Sequence, residues 1–378
     1  MADRAVESIG DSRLRPVKRA EPGDRPQSKW AELASALERH RGERLLILLT
    51  GYPDPDNIAS GLALQLLARR YEIESTLLSF FEVSHQENRA LVKRLEVDLW
   101  LYDERFDLEP FSLYALVDTQ KTETPIRDEL TGKTFLAYVD HHKKLGEVTA
   151  EFVDVREDAG STCGIFTDYL REAFSQGLDP DDQDHARLAT ALMHGIRADT
   201  ALFLEATRLD FEAAAYLSPA VDQALLRTIS AQTLSPAVMD MIQAALERKR
   251  IYDNFLFSDV GFVRKEYRDG IPQAADFLLS REGIDTVLVF GIVDGRTVDG
   301  SLRTRSDKVH PDAFLKKAFG FDEERGAHYG GGNIRDKGGF QIPIGFLAQH
   351  KDREQLYRIA CEVIHGKFLE AIGLEPKH

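Results

Sequence analysis

Three consecutive residues with side chains that are common in catalytic sites, Asp140, His141 and His142, end the apolar segment that begins at Thr134. The segment has the pattern of a β-strand, so the acid and the two imidazoles lie at its carboxyl end. Open α/β folds bind ligands at the carboxyl ends of parallel strands. The spacing therefore predicts a functional site at this edge of a sheet. A surface turn that holds two histidines by chance is the alternative, because short motifs also match by accident.

Two further carboxylates follow the apolar segment Leu45–Leu49. Asp54 and Asp56 lie on a short loop that two prolines stiffen. Two fixed carboxylates one residue apart suit a hard cation or a pair of cations. Helix capping is the alternative, with Asp56 as the N-cap of a helix that begins near Asn57. Capping would explain one of the two acids but not both.

Other acids follow other elements of the chain. Asp118 comes after the strand predicted at Leu113–Val117, and Asp199 comes after the helix predicted at Ala186–Ile196. Because the ends of parallel strands converge, we expect these acids to lie near His141. Carboxylates and imidazole without a thiolate suit Mn²⁺ or Mg²⁺ better than a structural zinc ion. Two such ions that share a carboxylate would activate water and stabilise a phosphoryl displacement.

Two loops in the first half of the chain carry groups that could bind an anion. His85 and Arg89 follow the strand predicted at Ser75–Phe80, and they also fit the polar start of a capped helix. Gly160–Thr162 precedes a helix and could hold an anion at the helix N-terminus. Simple N-capping by the hydroxyls of this segment is the favoured interpretation there.

The second half of the chain offers a substrate-binding pattern. Arg303 lies on the strand predicted at Val298–Arg305, and guanidinium binds phosphate with two parallel hydrogen bonds. Gly331, Gly332 and Asn333 lie on a predicted glycine loop, where the backbone can approach a ligand closely. We expect these residues to bind a second phosphate or the base of a substrate. A flexible connector is the alternative for the glycines.

Composition limits the classes of protein. A chain of 378 residues predicts two domains, and 43% hydrophobic with 29% charged residues is typical of a globular protein. No apolar run approaches the ~20 residues that span a bilayer, and no signal-peptide pattern is present, so we expect a cytoplasmic protein without a membrane partner. Cys163 and Cys361 form no CxxC pair. A net charge of −15 argues against binding long duplex DNA.

Strands alternate with helices from Leu45 to about Leu204, which predicts an α/β domain with a mostly parallel sheet of five strands, flanked by helices. From Ile251 the pattern becomes a mixture of strands and helices, typical of a smaller α+β domain. The predicted organisation is a disordered arm at 1–28, the α/β domain at 29–234, a linker helix at 235–250 and the second domain at 251–378.

Six motifs occur in an order that resembles the DHH phosphoesterase superfamily, with a DHH domain followed by a DHHA1-type domain. The chain is similar to the nano-RNase and pAp-phosphatase type of member. The matching segments are PDPD at Pro53–Asp56, VDT at Val117–Thr119, VDHH at Val139–His142, GST at Gly160–Thr162, RADT at Arg197–Thr200 and GGGN at Gly330–Asn333, with Arg303 upstream of the last.

The resemblance implies roles for individual residues. It implies one Mn²⁺ site made by Asp56, Asp118, His141 and Asp199, and a second site that includes Asp54 and is bridged by Asp118. One or two Mn²⁺ ions are implied, with Mg²⁺ as the alternative. The resemblance places His142 beside the substrate phosphate and gives Asp140 a supporting role, so that His142, Asp140 and Asp118 form the catalytic group.

The chain departs from the family pattern at two positions. Thr50 stands where the first motif usually has a histidine ligand, so the site that includes Asp54 is expected to be weak, empty or completed by another residue such as His85. Asn333 stands where the last motif usually ends in histidine. Asparagine can hydrogen-bond a phosphate or a base but cannot carry a charge.

The implied function is a manganese-dependent phosphoesterase that hydrolyses short oligonucleotides, linear or cyclic dinucleotides, or pAp-like nucleotides. The alternative is a nucleotide-binding regulator that has weakened or lost catalysis, motivated by Thr50 and Asn333. A pyrophosphatase or polyphosphatase ranks third, because the glycine-rich segment suits a nucleotide better than bare phosphate. The expected partner is a nucleotide or a short oligonucleotide, and a homodimer is compatible with the sequence.

Overall fold

The structure is a computed structural model that describes residues 28–83, 85–120, 124–144, 146, 149–231, 234–323, 326–332 and 336–375. Residues 1–27 of the predicted arm lie outside this described part. The chain divides into two compact units, one of residues up to Glu82 with Asp98–Gln223, and one of Val83–Val97 with the residues from Ala224 onward. The sequence did not anticipate the grouping of Val83–Val97 with the second unit. The predicted domain boundaries stay predictions.

The first unit contains a six-stranded sheet in which every neighbouring pair is parallel. Its strands are β1 (Arg44–Leu49), β2 (Glu74–Ser79), β3 (Leu99–Leu101), β4 (Leu113–Val117), β5 (Thr134–Asp140) and β6 (Phe152–Val155). The first eight helices are α1 (Lys29–Arg39), α2 (Pro55–Arg69), α3 (Gln86–Arg94), α4 (Thr162–Ala173), α5 (Gln183–Asp199), α6 (Arg208–Leu217), α7 (Gln223–Ser230) and α8 (Pro236–Arg248).

The apolar strands are buried because helices cover the sheet. All five residues from Leu45 to Leu49 in β1 are fully buried, as expected for a parallel strand in the middle of a sheet. The predicted α/β fold is confirmed. The prediction of five strands was wrong, because β3 had no signal in the sequence. It has only three residues, and Trp100 and Leu101 are exposed, so it lacks the buried pattern of its neighbours.

The order of the strands is β3-β2-β1-β4-β5-β6. From β1 the chain builds the sheet outward through β2 and β3, and from β4 it builds outward in the opposite direction. The border between β1 and β4 is therefore the topological switch point, where loops diverge and leave a crevice at the carboxyl ends of the strands. The loops that follow β1 and β4 carry the acids singled out in the sequence.

Close packing of three helices fixes the loop after β1. Gly195 on α5 has no side chain, and a Cβ there would lie 2.5 Å from the sulfur of Cys163 on α4 and 3.0 Å from the carbonyl oxygen of Pro55 on α2. Glycine thus lets α5 approach the first turn of α2. Asp56 and Asp199 lie on these two helices, so the contact sets the distance between them.

The second unit is built on a mixed sheet of order β13-β14-β10-β9-β8-β7, in which only β8 and β9 run parallel among the described strands. The strands are β7 (Arg250–Tyr252), β8 (Phe255–Val263), β9 (Thr286–Val293), β10 (Thr297–Thr304), β11 (Phe321–Asp322), β12 (Ala327–His328), β13 (Gly330–Gly332) and β14 (Lys337–Pro343). The helices are α9 (Gly270–Leu279), α10 (Pro311–Phe319) and α11 (Arg353–Ile372), with short 3₁₀ turns at Lys265–Tyr267 and Gly345–Gln349. The predicted α+β character is confirmed.

The prediction of a glycine loop was wrong for the described glycines. Gly330, Gly331 and Gly332 form strand β13, which pairs with β14 through Gly331 and Gly339. Glycine is depleted in strands, so the run of glycines predicted a loop. Here a Cβ at Gly332 would meet the backbone of β14, so the absence of a side chain permits the close approach of the two strands. Asn333 lies outside the described residues.

No helix within the part of the chain that the structure describes is both long enough and apolar enough to cross a membrane.

Candidate functional site

Asp54, and not Asp56, is the cap of helix α2. The side chain of Asp54 accepts a hydrogen bond from the backbone N–H of Asn57 at 3.0 Å, and the Asn57 side chain accepts one from the backbone N–H of Asp54 at 3.2 Å. The capping alternative for Asp56 was wrong, because Pro55 starts the helix two residues earlier than Asn57. Asp56 is therefore in the first turn of the helix and needs another explanation.

The carboxylate of Asp56 is fully buried and is held by the N-terminus of α4. Its two oxygens accept the backbone N–H groups of Thr162 at 2.8 Å and Cys163 at 2.7 Å. Ser161 caps the same helix by accepting the N–H of Gly164 at 3.0 Å. Both interpretations of the GST segment are therefore correct, since it caps a helix and also binds an anion, which is the carboxylate of the protein itself.

Asp118 leaves β4 in a strained conformation. Its φ of +58° lies in the left-handed region, which residues other than glycine seldom adopt and which costs of order 1 kcal/mol. Its backbone N–H donates to the carbonyl of Val139 at 2.8 Å, and Oδ1 accepts the hydroxyl of Thr162 at 2.9 Å. These bonds direct the buried carboxylate back toward Asp56 and the end of β5.

His141 points an unpartnered nitrogen at three carboxylates. Its Nδ1 lies 3.3 Å from the carbonyl oxygen of Ala159, which keeps a proton on Nδ1, so that the neutral imidazole offers the lone pair of Nε2 to a metal ion. Nε2 is buried without a hydrogen-bond partner. It lies 3.0 Å from Asp199 Oδ2, 3.5 Å from Asp118 Oδ1 and 3.9 Å from Asp56 Oδ2. The 3.0 Å distance between Nε2 and Asp199 Oδ2 is short enough for a hydrogen bond, but the two groups are not oriented to form one.

This arrangement fits a divalent cation. An imidazole nitrogen without a hydrogen-bond partner, with several carboxylate oxygens close around it, is the donor set of a metal centre. Without a metal ion, leaving this buried nitrogen unpaired costs free energy. Among the residues that the structure describes, two overlapping groups have this geometry: Asp56, His141 and Asp199, and Asp118, His141 and His142.

The pKa values show that burial, together with mutual repulsion, disfavours the charged carboxylates when no cation is present. Burial, together with the charge of Asp199, raises the pKa of Asp54 to about 7. Burial and neighbouring carboxylates also raise the pKa of Asp56, and that of Asp118 rises well above its usual value. Burial lowers the pKa of His141, but Asp199 and Asp56 outweigh it and raise the pKa to about 9. Protons thus balance charge that a cation would otherwise balance.

The nearby thiol does not add a soft ligand. Cys163 is fully buried, and burial together with the charge of Asp56 raises the pKa of its thiol well above the usual value. Its sulfur lies 3.5 Å from the carbonyl oxygen of Asp56. The thiol therefore stays protonated, and the ligands at this site are oxygen and imidazole nitrogen.

Asp140 supports His142 beside the cluster. Its buried Oδ1 lies 2.8 Å from Nδ1 of His142 and accepts the backbone N–H of the same residue at 3.1 Å. Gln120 donates to the other oxygen at 2.7 Å. The His142 side chain is 58% exposed, and its Nδ1 lies 3.6 Å from Asp118. This arrangement suits the predicted supporting role of Asp140, with the imidazole facing solvent.

Thr50 occupies the position expected for a histidine ligand and bonds to a neighbour. Its hydroxyl lies 3.1 Å from the hydroxyl of Thr119, across the switch point between β1 and β4. Asp54, the other predicted ligand of that site, is engaged as the cap of α2. The side of the cluster near Asp54 therefore has fewer atoms that can bind a metal ion than the side near His141.

The segment after Asp199 is strained. Ala201, Leu202 and Phe203 have φ values of +48°, +57° and +71°, and none of them is glycine. Left-handed conformations of this kind cost of order 1 kcal/mol or more each and concentrate at functional sites. The Thr200 hydroxyl anchors the start of this turn by accepting the N–H of Phe203 at 3.2 Å. The turn holds the end of α5 next to His141.

In the second unit Arg303 is placed by hydrogen bonds from two of its nitrogens. Its Nε donates to Asp276 at 2.7 Å, and Nη1 donates to the hydroxyl of Ser301 at 2.7 Å and to the carbonyl of Leu302 at 3.1 Å. The side chain is 14% exposed, which leaves part of the guanidinium accessible. Asp276 is 55% exposed, so a competing anion can replace it at low cost.

A cavity of about 460 Å³ lies along β13 and β14 of the second unit. It is polar, and its two cations are ion-paired, Arg268 with Asp299 and Lys316 with Asp312. Its lining includes Arg268, Lys316, His328, Gly331 and Gln341. The predicted Gly331 is therefore on the wall of a cavity, and Gly332 lies next to it, with its backbone N–H 3.3 Å from Asp312.

Arg89 lies on α3 and His85 directly before it, in the segment that groups with the second unit. His85 precedes the helix without capping it through its side chain. Burial lowers its pKa, and the charges of Asp269 and Asp276 oppose this shift while that of Arg89 adds to it. His85 and Arg303 thus share Asp276 as a neighbour. Among the described residues, neither candidate metal group contains His85.

Several supporting residues had no signal in the sequence. Thr162 lay within a noted motif, but its bond to Asp118 depends on the tertiary fold. Asp210 on α6 is fully buried and accepts the N–H of Gly160 at 3.0 Å and the hydroxyl of Ser161 at 2.7 Å. It holds the loop that precedes α4 and so acts on Asp56 indirectly. No local pattern marks an acid that lies fifty residues further along the chain.

Residues 44–196 match the family model described as the DHH family, N-terminal domain. This part of the chain belongs to the DHH family. The match spans all six strands of the first sheet and ends three residues before Asp199. The resemblance stated from the motifs is confirmed, and we refer to the first unit as the DHH unit.

Two individual proteins are similar over most of the chain. Uncharacterized protein MJ1633 of Methanocaldococcus jannaschii is 36% identical over 342 residues, which cover 90% of this chain and 66% of that protein. The chain thus spans about two thirds of the length of this relative. A crystal structure described as an exopolyphosphatase-related protein from Bacteroides fragilis superposes with a TM-score of 0.65 at 15% identity, covering 91% of this chain and 98% of the other. At that identity the likeness concerns the fold alone.

Proposed function

We propose that this protein is a manganese-dependent phosphoesterase that hydrolyses phosphodiester or phosphomonoester bonds of short oligonucleotides, dinucleotides or pAp-like nucleotides. The observation that carries the proposal is the buried Nε2 of His141, which has no hydrogen-bond partner and lies within 3.9 Å of three carboxylates. The DHH family match supports a metal-dependent hydrolase that acts on phosphate esters.

The ligands favour Mn²⁺ over Mg²⁺. Mg²⁺ prefers oxygen ligands and keeps several of its waters. Mn²⁺ binds carboxylate oxygens and also accepts an imidazole nitrogen as a ligand. Asp56, His141 and Asp199 would hold the ion, with Asp118 on the side toward His142. When bound, such an ion lowers the pKa of a water molecule and polarises a phosphoryl oxygen.

His142 and Asp140 bind and orient the substrate phosphate in this proposal. The carboxylate of Asp140 lies 2.8 Å from Nδ1 of His142 and fixes the orientation of the ring. Nε2 of His142 is then the ring nitrogen that can contact a phosphate oxygen, since Nδ1 is bound by Asp140. His142 therefore binds and orients the phosphate, while Asp140 keeps the imidazole in position.

The second unit carries the residues that the sequence predicted to bind substrate. Arg303 is held by an exposed carboxylate that a phosphate can replace, and the polar cavity along β13 and β14 has a volume suited to a small ligand. We therefore assign substrate binding to Arg303, Gly331 and Gly332, with His85 and Arg89 as further candidates. Asn333, which lies outside the described residues, stays a prediction.

The test is hydrolysis of pAp, pApA, cyclic dinucleotides and pyrophosphate, each with Mn²⁺ and with a chelator. The proposal predicts hydrolysis of at least one nucleotide in Mn²⁺ and none in the chelator. Turnover of pyrophosphate alone would favour a pyrophosphatase. Binding of a nucleotide without turnover of any would favour a nucleotide-binding regulator, for which the Thr50–Thr119 contact at 3.1 Å is the supporting observation.

Thr50→His is expected to complete the side of the cluster near Asp54. The imidazole would replace a hydroxyl that bonds to Thr119 and would add a ligand where donors are few. We expect the number of Mn²⁺ ions bound per chain to rise from about one toward two, as in two-metal sites. Isothermal titration with Mn²⁺ measures this number, and Thr119→Ala is the control that removes the hydroxyl contact without adding a ligand. An unchanged stoichiometry in Thr50→His would contradict this account of Thr50.

A further inference from the structure

Two exposed aromatic rings stand together at the carboxyl edge of the first sheet. The rings of Tyr52 and Phe81 have centroids 4.5 Å apart and planes inclined by 36°. Tyr52 is 61% exposed and Phe81 is 38% exposed. Large aromatic side chains bury most of their surface when packing alone determines their position. An exposed pair of this kind offers an apolar face to a ligand.

The position of the pair relates it to the metal cluster. Tyr52 is on the loop after β1, two residues before Asp54, and Phe81 follows β2. β1 and β2 are neighbouring parallel strands, with Leu49 opposite Ser79, so the two loops leave the sheet at the same edge. The acids lie over β1, β4 and β5, and the aromatic pair lies over β1 and β2. One to two strand spacings, or about 5–10 Å, separate the two features.

The backbone that carries both rings is restrained before any ligand binds. The carbonyl of Tyr52 accepts the side-chain amide of Asn57 at 3.4 Å, and Pro53 follows directly and restricts the loop. The hydroxyl of Ser79 donates to the carbonyl of Phe81 at 2.8 Å and accepts its N–H at 3.2 Å. Rings on a restrained backbone bind a flat ligand with a smaller loss of conformational entropy than rings on a mobile loop.

We propose that Tyr52 and Phe81 form a stacking platform for a nucleobase of the substrate whose phosphate lies at the metal cluster. The separation of platform and cluster is comparable to the distance between base and phosphate within one nucleotide. Aromatic rings stack on the π-face of any base, so the platform selects nucleotides without selecting a sequence. Inorganic phosphates have no such group and gain nothing from it. The inference deepens the proposed function, on which it rests, by assigning the DHH unit a preference for nucleotides over pyrophosphate and polyphosphate.

Binding of two hydrolysis-resistant probes tests the platform in the presence of Mn²⁺. One probe is the phosphonate analogue of 2-aminopurine riboside 5′-monophosphate, whose fluorescence is quenched when the base stacks. The other is methylenediphosphonate, which offers phosphonate oxygens but has no base. Tyr52→Ala is expected to weaken binding of the nucleotide analogue about 5- to 150-fold and to relieve the quenching. Its binding of methylenediphosphonate is expected to stay within about twofold of the wild type.

Two variants control for the loop and for surface aromatics in general. Tyr52→Phe keeps the ring and is expected to bind both probes like the wild type. Trp100→Leu removes another exposed ring of the DHH unit, which is 51% exposed on β3, and is expected to bind both probes normally. These controls separate loss of the Tyr52 ring from loss of its hydroxyl and from loss of an exposed ring elsewhere on the unit.

The outcomes distinguish this inference from the proposed function. Equal binding of the nucleotide analogue by the wild type and Tyr52→Ala would overturn the platform and leave the proposed function standing. Weakening of both probes to the same degree would also overturn it, because Tyr52 would then act on the metal loop. Binding of methylenediphosphonate but not of the nucleotide analogue by the wild type would overturn both the platform and the nucleotide substrate.

Discussion

Asp118→Asn is expected to lower kcat/KM for the preferred nucleotide by about 10³-fold or more and to weaken Mn²⁺ binding. The carboxylate lies 3.5 Å from Nε2 of His141 and belongs to one of the two candidate ligand groups. An amide has nearly the same shape but brings no negative charge and is a poorer ligand. The loss reflects several kcal/mol of transition-state stabilisation that a metal ion supplies. Steady-state kinetics and titration with Mn²⁺ measure both effects on the same preparation.

Asp154→Asn is the matched control for this substitution. Asp154 is a buried acid of the same sheet, but its carboxylate is bound by Arg156 at 2.8 Å and by the hydroxyl of Tyr169 at 2.6 Å. We expect this variant to be less stable but to bind Mn²⁺ like the wild type. If Asp118→Asn kept wild-type metal affinity and turnover, Asp118 would not be a ligand.

Mn²⁺ is expected to stabilise the folded protein, and more strongly at high pH than at low pH. Without metal, the pKa of His141 is raised from 6.5 to about 9, so between these values the folded protein binds a proton that the unfolded chain lacks. The resulting stability is fully present below pH 6.5 and is lost as pH rises toward 9. Asp54, with its pKa raised from 3.8 to about 7, contributes in the same direction at lower pH.

A bound cation replaces these protons and removes the loss. At a Mn²⁺ concentration of 100 times Kd the expected gain in unfolding free energy is about 2.7 kcal/mol, or an increase in Tm of about 5–10 °C. Thermal unfolding at pH 6.5 and pH 9, with Mn²⁺ and with chelator, tests this expectation. Asp199→Asn serves as the control, because it should lessen both the pH dependence in chelator and the effect of Mn²⁺. Equal Tm values with metal and with chelator at pH 9 would rule out a buried metal site.

The sequence predicted the elements that bring the site together because their signals are local. Apolar runs such as Leu45–Leu49 have the pattern of buried parallel strands, and acids that follow such strands converge by the geometry of the sheet. Asp118 and His141 were found in this way, and they lie 3.5 Å apart. The order of the motifs then pointed to the DHH family, which the family match confirmed.

Features that depend on contacts between distant residues could not be predicted. Asp56 is bound by backbone N–H groups of α4, which lie more than one hundred positions further along the chain. The orientation of the Asp118 carboxylate depends on its hydrogen bond with Thr162, and that of the His141 ring depends on its contact with Ala159. Neither contact can be read from the sequence. The glycines of β13 were predicted as a loop because their strand is stabilised by its pairing with β14, which overrides their weak strand propensity.

The most direct test of the metal centre is anomalous diffraction from crystals grown or soaked with Mn²⁺. We expect a peak between Nε2 of His141 and the carboxylates of Asp56, Asp118 and Asp199, where the buried nitrogen lacks a hydrogen-bond partner. If the protein binds Mn²⁺ in solution but the peak lies elsewhere, with Nε2 of His141 still without a ligand, then His141 is not part of the metal centre.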